Sequence, residues 1–164
     1  MLGGVRIPSR LGLVGHSDAD VLLHALTDAL LGALTLPDIG TLFPDTDPKW
    51  KGAASGPLLA EAYAKVKAQG YRLVNADCNL VCDRPRLQPH YAEIRQSIAR
   101  LLQTEPARIG LKAKTTEGTQ LALRRKSIAA MAVVLLGAGA RAGTVPRDAM
   151  TRGAVPVFAA KRHR

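Results

Sequence analysis

Aromatic residues are scarce in this chain, with two Phe, one Trp and three Tyr in 164 residues. The core must therefore be built from Leu, Val, Ile and Ala. The same scarcity leaves no row of stacking platforms for nucleic-acid bases. Cysteine is rarer still. Cys78 and Cys82 stand four apart in a strand-like run, without the paired spacing of a zinc module. They read as small buried residues in a reducing compartment. No apolar run approaches the roughly 20 residues that span a bilayer. No charged segment followed by an apolar one marks a signal peptide, so the expectation is a cytoplasmic protein without a membrane partner. No internal repeat is visible. The length suits one domain with a sizeable core.

Acidic residues are also few, 13 against 23 Lys and Arg, for a net charge of +10. Half of that excess lies in residues 137–164, a Gly/Ala/Pro-rich segment. The rest is dispersed. This pattern fits a solvated basic tail better than a nucleic-acid surface, and steep loss of binding with salt would be needed to argue otherwise.

What is present is concentrated between Gly15 and Asp28. Here the pattern predicts a largely buried helix running to about Leu36, where Pro37 stops it. Ser17 is the expected N-cap, with Asp20 three residues on, and Asp18 and Asp20 suit the positive helix end. His16 precedes the free N–H groups, where an anion would dock. His16, Asp20, His24 and Asp28 recur every fourth residue, forming one polar stripe. Such a stripe needs partners: either structural hydrogen bonds, or a metal ion and a phosphorylated ligand.

Along the rest of the chain, Val5 and Ile7 alternate with Gly4 and Arg6 as in a strand. Residues 38–48 form a loop with three carboxylates and two prolines, explicable as turn chemistry or as a ligand loop. It continues through Trp50, Lys51 and Gly52, long enough to suggest a lid. Ser55 is the expected cap of a second helix, which Gly70 closes. Residues 71–83 alternate as a strand, with Val74, Ala76, Cys78, Leu80 and Cys82 facing inward. Asn75, Asp77, Asn79 and Asp83 are assigned to the other face. The loop 84–90 is basic and rigid, and serves equally as a phosphate holder or a turn. A third helix carries Ile94, Ile98, Leu101 and Leu102. Ile109, Leu111 and Ala113 mark another strand, ending in Lys114-Thr115-Thr116-Glu117-Gly118. Ile128 to Leu136 reads as a buried closing strand. The outcome is an α+β fold with helices packed on one face of a mixed sheet.

Several long motifs resemble one family. They are Gly3-Gly4-Val5-Arg6-Ile7-Pro8, His16-Ser17-Asp18-x-Asp20, His24 to Gly32, Asp38-Ile39-Gly40 and Phe43-Pro44-Asp45-Thr46-Asp47-Pro48. They continue with Pro85-Arg86-Leu87-x-Pro89-His90 and Thr115-Thr116-Glu117-Gly118. In this spacing they resemble the 2-C-methyl-D-erythritol 2,4-cyclodiphosphate synthases over residues 2–136. The resemblance implies a homotrimer with active sites between subunits. It also implies conversion of 4-diphosphocytidyl-2-C-methyl-D-erythritol 2-phosphate to the cyclic diphosphate with release of CMP. Zinc and a second divalent ion, magnesium or manganese, would assist. Fusion to or association with a cytidylyltransferase of the same pathway is implied as an option.

Position by position, the resemblance makes His24 a zinc ligand and Glu117 a ligand of the second metal. His16 and Thr115 become the residues that stabilise the transition state, with Ser17 and Thr116 beside them. Asp38, Ile39 and Gly40 would hold the methylerythritol, and Phe43, Pro44, Asp45, Thr46 and Asp47 would cover it. The segment Cys82 to Gln88, with Cys82, Pro85, Arg86 and Leu87 as its binding residues, would surround the cytidine, with Arg86 where a Lys often stands. Asp28 would approach the substrate, and Arg124 matches a substrate-site arginine. Two departures stand out. The family's Asp-x-His zinc pair belongs to a strand upstream of Gly3-Gly4, which Met1 directly precedes here, so the zinc site is incomplete. Thr119 to Leu123 replaces a segment with two glycines and an aromatic. The implied organisation is a synthase-like domain over 1–136 lacking its first strand, then the tail 137–164. A non-catalytic trimeric relative is the alternative that these departures raise.

Overall fold

The computed structural model describes residues 1–9, 12–13, 18–50, 52–117, 127–139 and the backbone of 157–162. Among the described residues four strands form the sheet: β1 (Tyr71–Val81), β2 (Ile109–Lys114), β3 (Ser127–Ala138) and β4 (Val157–Arg162). Their order is β2-β1-β3-β4, with β1 and β2 parallel and the other two pairings antiparallel. Parallel neighbours need a crossover, and helix α4 (Tyr91–Leu101) provides it. The remaining helices are α1 (Val21–Ala33), the single turn α2 (Ile39–Leu42) and α3 (Ser55–Ala68).

The sheet alternates as the pattern requires. Ala76, Cys78 and Leu80 of β1 are buried, as are Ile109 and Leu111 of β2. Ile128, Ala130, Ala132, Val134 and Leu136 of β3 complete that face. Helix α1 supplies Val21, Leu22, Leu23, Leu26 and Leu30 to the same core, and α4 supplies Ile94 and Ile98. Few aromatics are involved, in line with the composition.

Five expectations are corrected. Val5–Ile7 is not a strand: Leu2 and Val5 bridge across a turn at Gly3 and Gly4, both at positive φ. A Cβ on Gly3 would sit 2.5 Å from Ile94 Cγ2, so close packing as well as backbone angle selects glycine. Helix α1 starts at Val21 and its N-cap is Asp20, whose carboxylate accepts from the Leu23 N–H; it ends at Ala33, short of Leu36. Ser17 lies outside the described residues. Ser55 does not cap α3. It is the first helical residue, and Asp18 accepts both its hydroxyl at 2.5 Å and its N–H at 3.2 Å. Val74 is displaced from the inner face, because the β1–β3 register shifts between Leu73 and Asn75 and Leu73 is buried instead. Finally, β3 does not close the sheet. It is interior, and Val157–Arg162, within the segment expected to be a solvated tail, pairs beyond it.

Candidate active site

Because β1 and β2 run parallel, the segments that follow them emerge at the same end of the sheet. Ligands of open α/β sheets bind outside the carboxyl ends of strands for this reason. The ladder runs one step past β1, where the Cys82 N–H donates to the Lys114 carbonyl at 2.8 Å. Beyond it opens a cleft of about 950 Å³, walled by Cys82–Gln88 and Tyr91 on one side and Ala113, Lys114, Thr115 and Glu117 on the other. Of the sequence-derived site residues, Cys82, Pro85, Arg86, Leu87, Thr115 and Glu117 thus meet in one place.

Thr116 stands behind them, buried. Its N–H and hydroxyl each donate to an Asp83 carboxylate oxygen at 2.8 Å. The Thr115 hydroxyl donates to Glu117 Oε1 at 2.8 Å. The Tyr91 hydroxyl accepts the Ala113 N–H at 2.7 Å, occupying a β2 amide at the cleft wall. Arg84, Arg86 and Lys114 are exposed at the rim. They outnumber Asp83 and Glu117 and give the cleft a cationic bias suited to a phosphorylated ligand. Burial pushes the Cys82 thiol up to about 11 and the Cys78 thiol to about 12, so both are protonated and unreactive at neutral pH.

The α1 stripe divides differently. Asp20 is fully buried and accepts the N–H groups of Gly3, Gly4 and Leu23, at 2.9, 2.7 and 3.1 Å, so it is structural. Asp28 accepts the Ile39 N–H at 2.7 Å and fixes the start of α2. Burial pushes its carboxyl upward and the nearby Asp38 adds to this, while the Ile39 bond opposes. His24 is half-buried and lies within electrostatic reach of Asp18. Asp38 caps α2 through the Thr41 N–H. Phe43 is buried with Leu31, Leu58 and Ala62, and its ring meets Trp50 edge-on at 4.9 Å. Pro44, Asp45, Thr46 and Asp47 follow in a turn beside it. None of Asp28, Asp38–Gly40 or Phe43–Asp47 lines the cleft. The residues expected to form one site therefore fall in two separate places in this chain. His16, Ser17 and Arg124 lie outside the described residues.

Metal ligation was tested against the same geometry. Among the described residues no group of three His, Cys, Asp or Glu side chains converges on a point. Asp20 is committed to backbone N–H groups, and no such group of three includes His24 among the described residues, so zinc does not fit them. Glu117 differs. It is an exposed carboxylate at a cationic cleft, the kind of single ligand that magnesium or manganese accepts when phosphate oxygens complete the shell.

Asp83 falls within the segment Cys82 to Gln88 that the resemblance puts around the cytidine, but no separate role for Asp83, Tyr91 or Lys114 is legible in the sequence. Alternation had assigned Asp83 to the outer face of β1 with Asn79, but the strand ends at Val81 and the rule ends with it.

A family model described as the YgbB family matches residues 1–137. The chain is 54% identical over 136 residues to the 2-C-methyl-D-erythritol 2,4-cyclodiphosphate synthase of Geobacillus kaustophilus, covering 83% of this chain and 86% of that one. A solved structure of such a synthase, in a CDP-bound form, superposes with a TM-score of 0.78 at 49% identity, covering 84% of this chain and 89% of its own. The bifunctional IspDF of Campylobacter jejuni superposes at 0.71 and 37% identity, covering 99% of this chain and 37% of that larger one. No helix among the described residues is long and apolar enough to cross a membrane.

Proposed function

The chain belongs to the YgbB family, and from that membership we propose that it is a cyclodiphosphate synthase of non-mevalonate isoprenoid biosynthesis. Its substrate is 4-diphosphocytidyl-2-C-methyl-D-erythritol 2-phosphate. The observation that carries this reading is the cleft at the shared end of β1 and β2, where Pro85-Arg86-Leu87 faces Thr115 and Glu117. The cytidine lies along Cys82–Leu87, and Arg84, Arg86 and Lys114 offset the charge of the diphosphate. An oxygen of the substrate's own 2-phosphate attacks the β-phosphorus, and the bridging bond to the α-phosphate breaks, releasing CMP. Since nucleophile and electrophile share one molecule, holding them in line replaces much of the catalytic work. The Thr115 hydroxyl, whose one proton is held by Glu117 here, would turn that proton from the Glu117 carboxylate to the oxygens that gain charge. His16 and Ser17 are assigned to the transition state and the substrate site by the family resemblance. Glu117 would hold magnesium or manganese, which when bound would supply Lewis-acid neutralisation of that charge.

Asp28, Asp38, Ile39, Gly40 and Phe43–Asp47 belong to the methylerythritol side of the site. They sit away from the cleft in the same chain, so a neighbouring subunit of a homotrimer brings them to it. Arg124 completes the phosphate contacts. Residues 1–136 form the synthase domain. The cytoplasm is the matching compartment, and a cytidylyltransferase, the kind of activity that attaches cytidine to such a substrate, is the matching partner. No step is assigned to zinc. The comparisons give no support to the non-catalytic alternative.

The test is CMP release from the substrate with added Mn²⁺. Equal amounts of CMP and cyclic diphosphate are expected, with loss on chelation. A chain that binds CDP and releases no CMP would overturn the enzymatic reading.

A further inference from the structure

We propose that Asp83 is the positioning residue of the cleft, holding Thr115 and Glu117 at their working angles through its two bonds to Thr116. The inference rests on the cleft being the diphosphocytidyl site.

The sheet alone does not determine where those two side chains point. The β1–β2 register ends at the Val81–Lys114 pair, and the last ladder bond is Cys82 N–H to the Lys114 carbonyl. Thr115 to Glu117 lie beyond the strand, and Glu117 has a φ of 50°, a conformation that side chains rarely adopt without support. Asp83 takes over where the ladder stops. One carboxylate oxygen accepts the Thr116 N–H as a strand carbonyl would, and the other accepts its hydroxyl. Two bonds from one planar group fix rotation as well as distance. Thr116 is only 6% exposed, whereas Thr115 and Glu117 on either side of it are exposed to the cleft. Anchoring the middle residue inward therefore turns both of its neighbours outward. The tie spans 33 residues and joins the cytidine-side loop to the metal-side loop. It acts through Thr116, and Asp83 itself need not touch the reacting atoms.

The experiment is calorimetric titration of CDP with and without Mn²⁺, on the full chain, three single-site variants and one double variant. Asp83→Ala removes both bonds and is expected to weaken Mn²⁺-dependent CDP binding about tenfold, with metal-free CDP binding changed less than about threefold. Asp83→Asn keeps an acceptor for the Thr116 N–H and offers an amide donor to its hydroxyl oxygen, so it should stay within about threefold of wild type. Thr116→Val removes one bond and should fall between the two; it also serves if Asp83→Ala fails to fold. In Asp83→Ala/Thr116→Val the losses should not add. Unchanged Mn²⁺-dependent binding in Asp83→Ala or Thr116→Val would overturn the proposal. So would equal losses in Asp83→Asn and Asp83→Ala, which would make charge, not position, the contribution. CMP release is measured separately. Wild-type protein that binds CDP but releases no CMP contradicts the synthase reading, while the binding ratios still decide the role of Asp83.

Discussion

Asp18 and Asp20 are two residues apart, yet their carboxylates respond to pH in opposite directions. Burial pushes the Asp18 carboxyl up, but the Ser55 hydroxyl and N–H, the Asp20 N–H and the nearby His24 outweigh it and hold the group below its ordinary value. Its contribution is therefore present above the ordinary carboxylate range and is lost as the pH falls through the lowered value. At Asp20 burial wins over the N–H groups of Gly4, Leu23 and Gly3, so its effect on stability has the reverse sign. Asp18→Asn should cost about 1 kcal/mol at pH 7, the usual difference between a hydrogen bond to a charged acceptor and one to a neutral acceptor. Urea unfolding at pH 7 and at pH 3 measures this. The gap between wild type and variant should narrow in acid, and a gap that widened would show that Asp18 stabilises as the neutral acid. Residues of this kind were hard to read from sequence. The stripe His16, Asp20, His24, Asp28 was visible, but nothing local showed that Asp20 would hold Gly3 and Gly4, 17 and 16 residues away.

At the scale of elements, periodicity carried far and then stopped. Helices α1, α3 and α4 and strands β1, β2 and β3 were legible, because each buries one face and its apolar spacing says so. Their ends were not, since these depend on distant partners: Asp18 reaches Ser55 across 37 residues, and Asp83 reaches Thr116 across 33. The bulge at Val74 likewise follows from pairing with β3, which no pattern within β1 records. Strand β4 was missed because its segment is short, basic and set in a Gly/Ala/Pro-rich stretch. It matters nonetheless. Ser127–Ala132 of β3 pair with Val157–Arg162, and that stretch of β3 would otherwise present unpaired N–H and C=O groups. Truncation after Ala138 is expected to lower the thermal midpoint by at least several degrees and to raise light scattering at high concentration. A truncated chain with unchanged midpoint and no added scattering would mean that β4 does not guard the edge.

At the scale of the molecule, the residues assigned to one substrate lie in two places. The residues proposed for the cytidine and the metal line the cleft beyond β1 and β2, and those proposed for the methylerythritol lie around α2. A trimer that pairs each half with its neighbour's complement makes a specific genetic prediction. Thr115→Val and Asp38→Ala should each be inactive alone. Co-expressed in equal amounts, they should recover about a quarter of wild-type CMP release, since random assembly leaves that share of interfaces with both halves intact. No recovery from trimers shown to be mixed would place both halves of the site within one chain. The most direct test of the synthase reading is ³¹P NMR of the substrate incubated with the full chain and Mg²⁺. The account predicts that the three substrate phosphorus signals give way to CMP and a cyclic diphosphate in equal amounts. CMP accompanied by a linear diphosphate would mean hydrolysis instead, and unchanged substrate in the presence of bound CDP would contradict the catalytic claim itself.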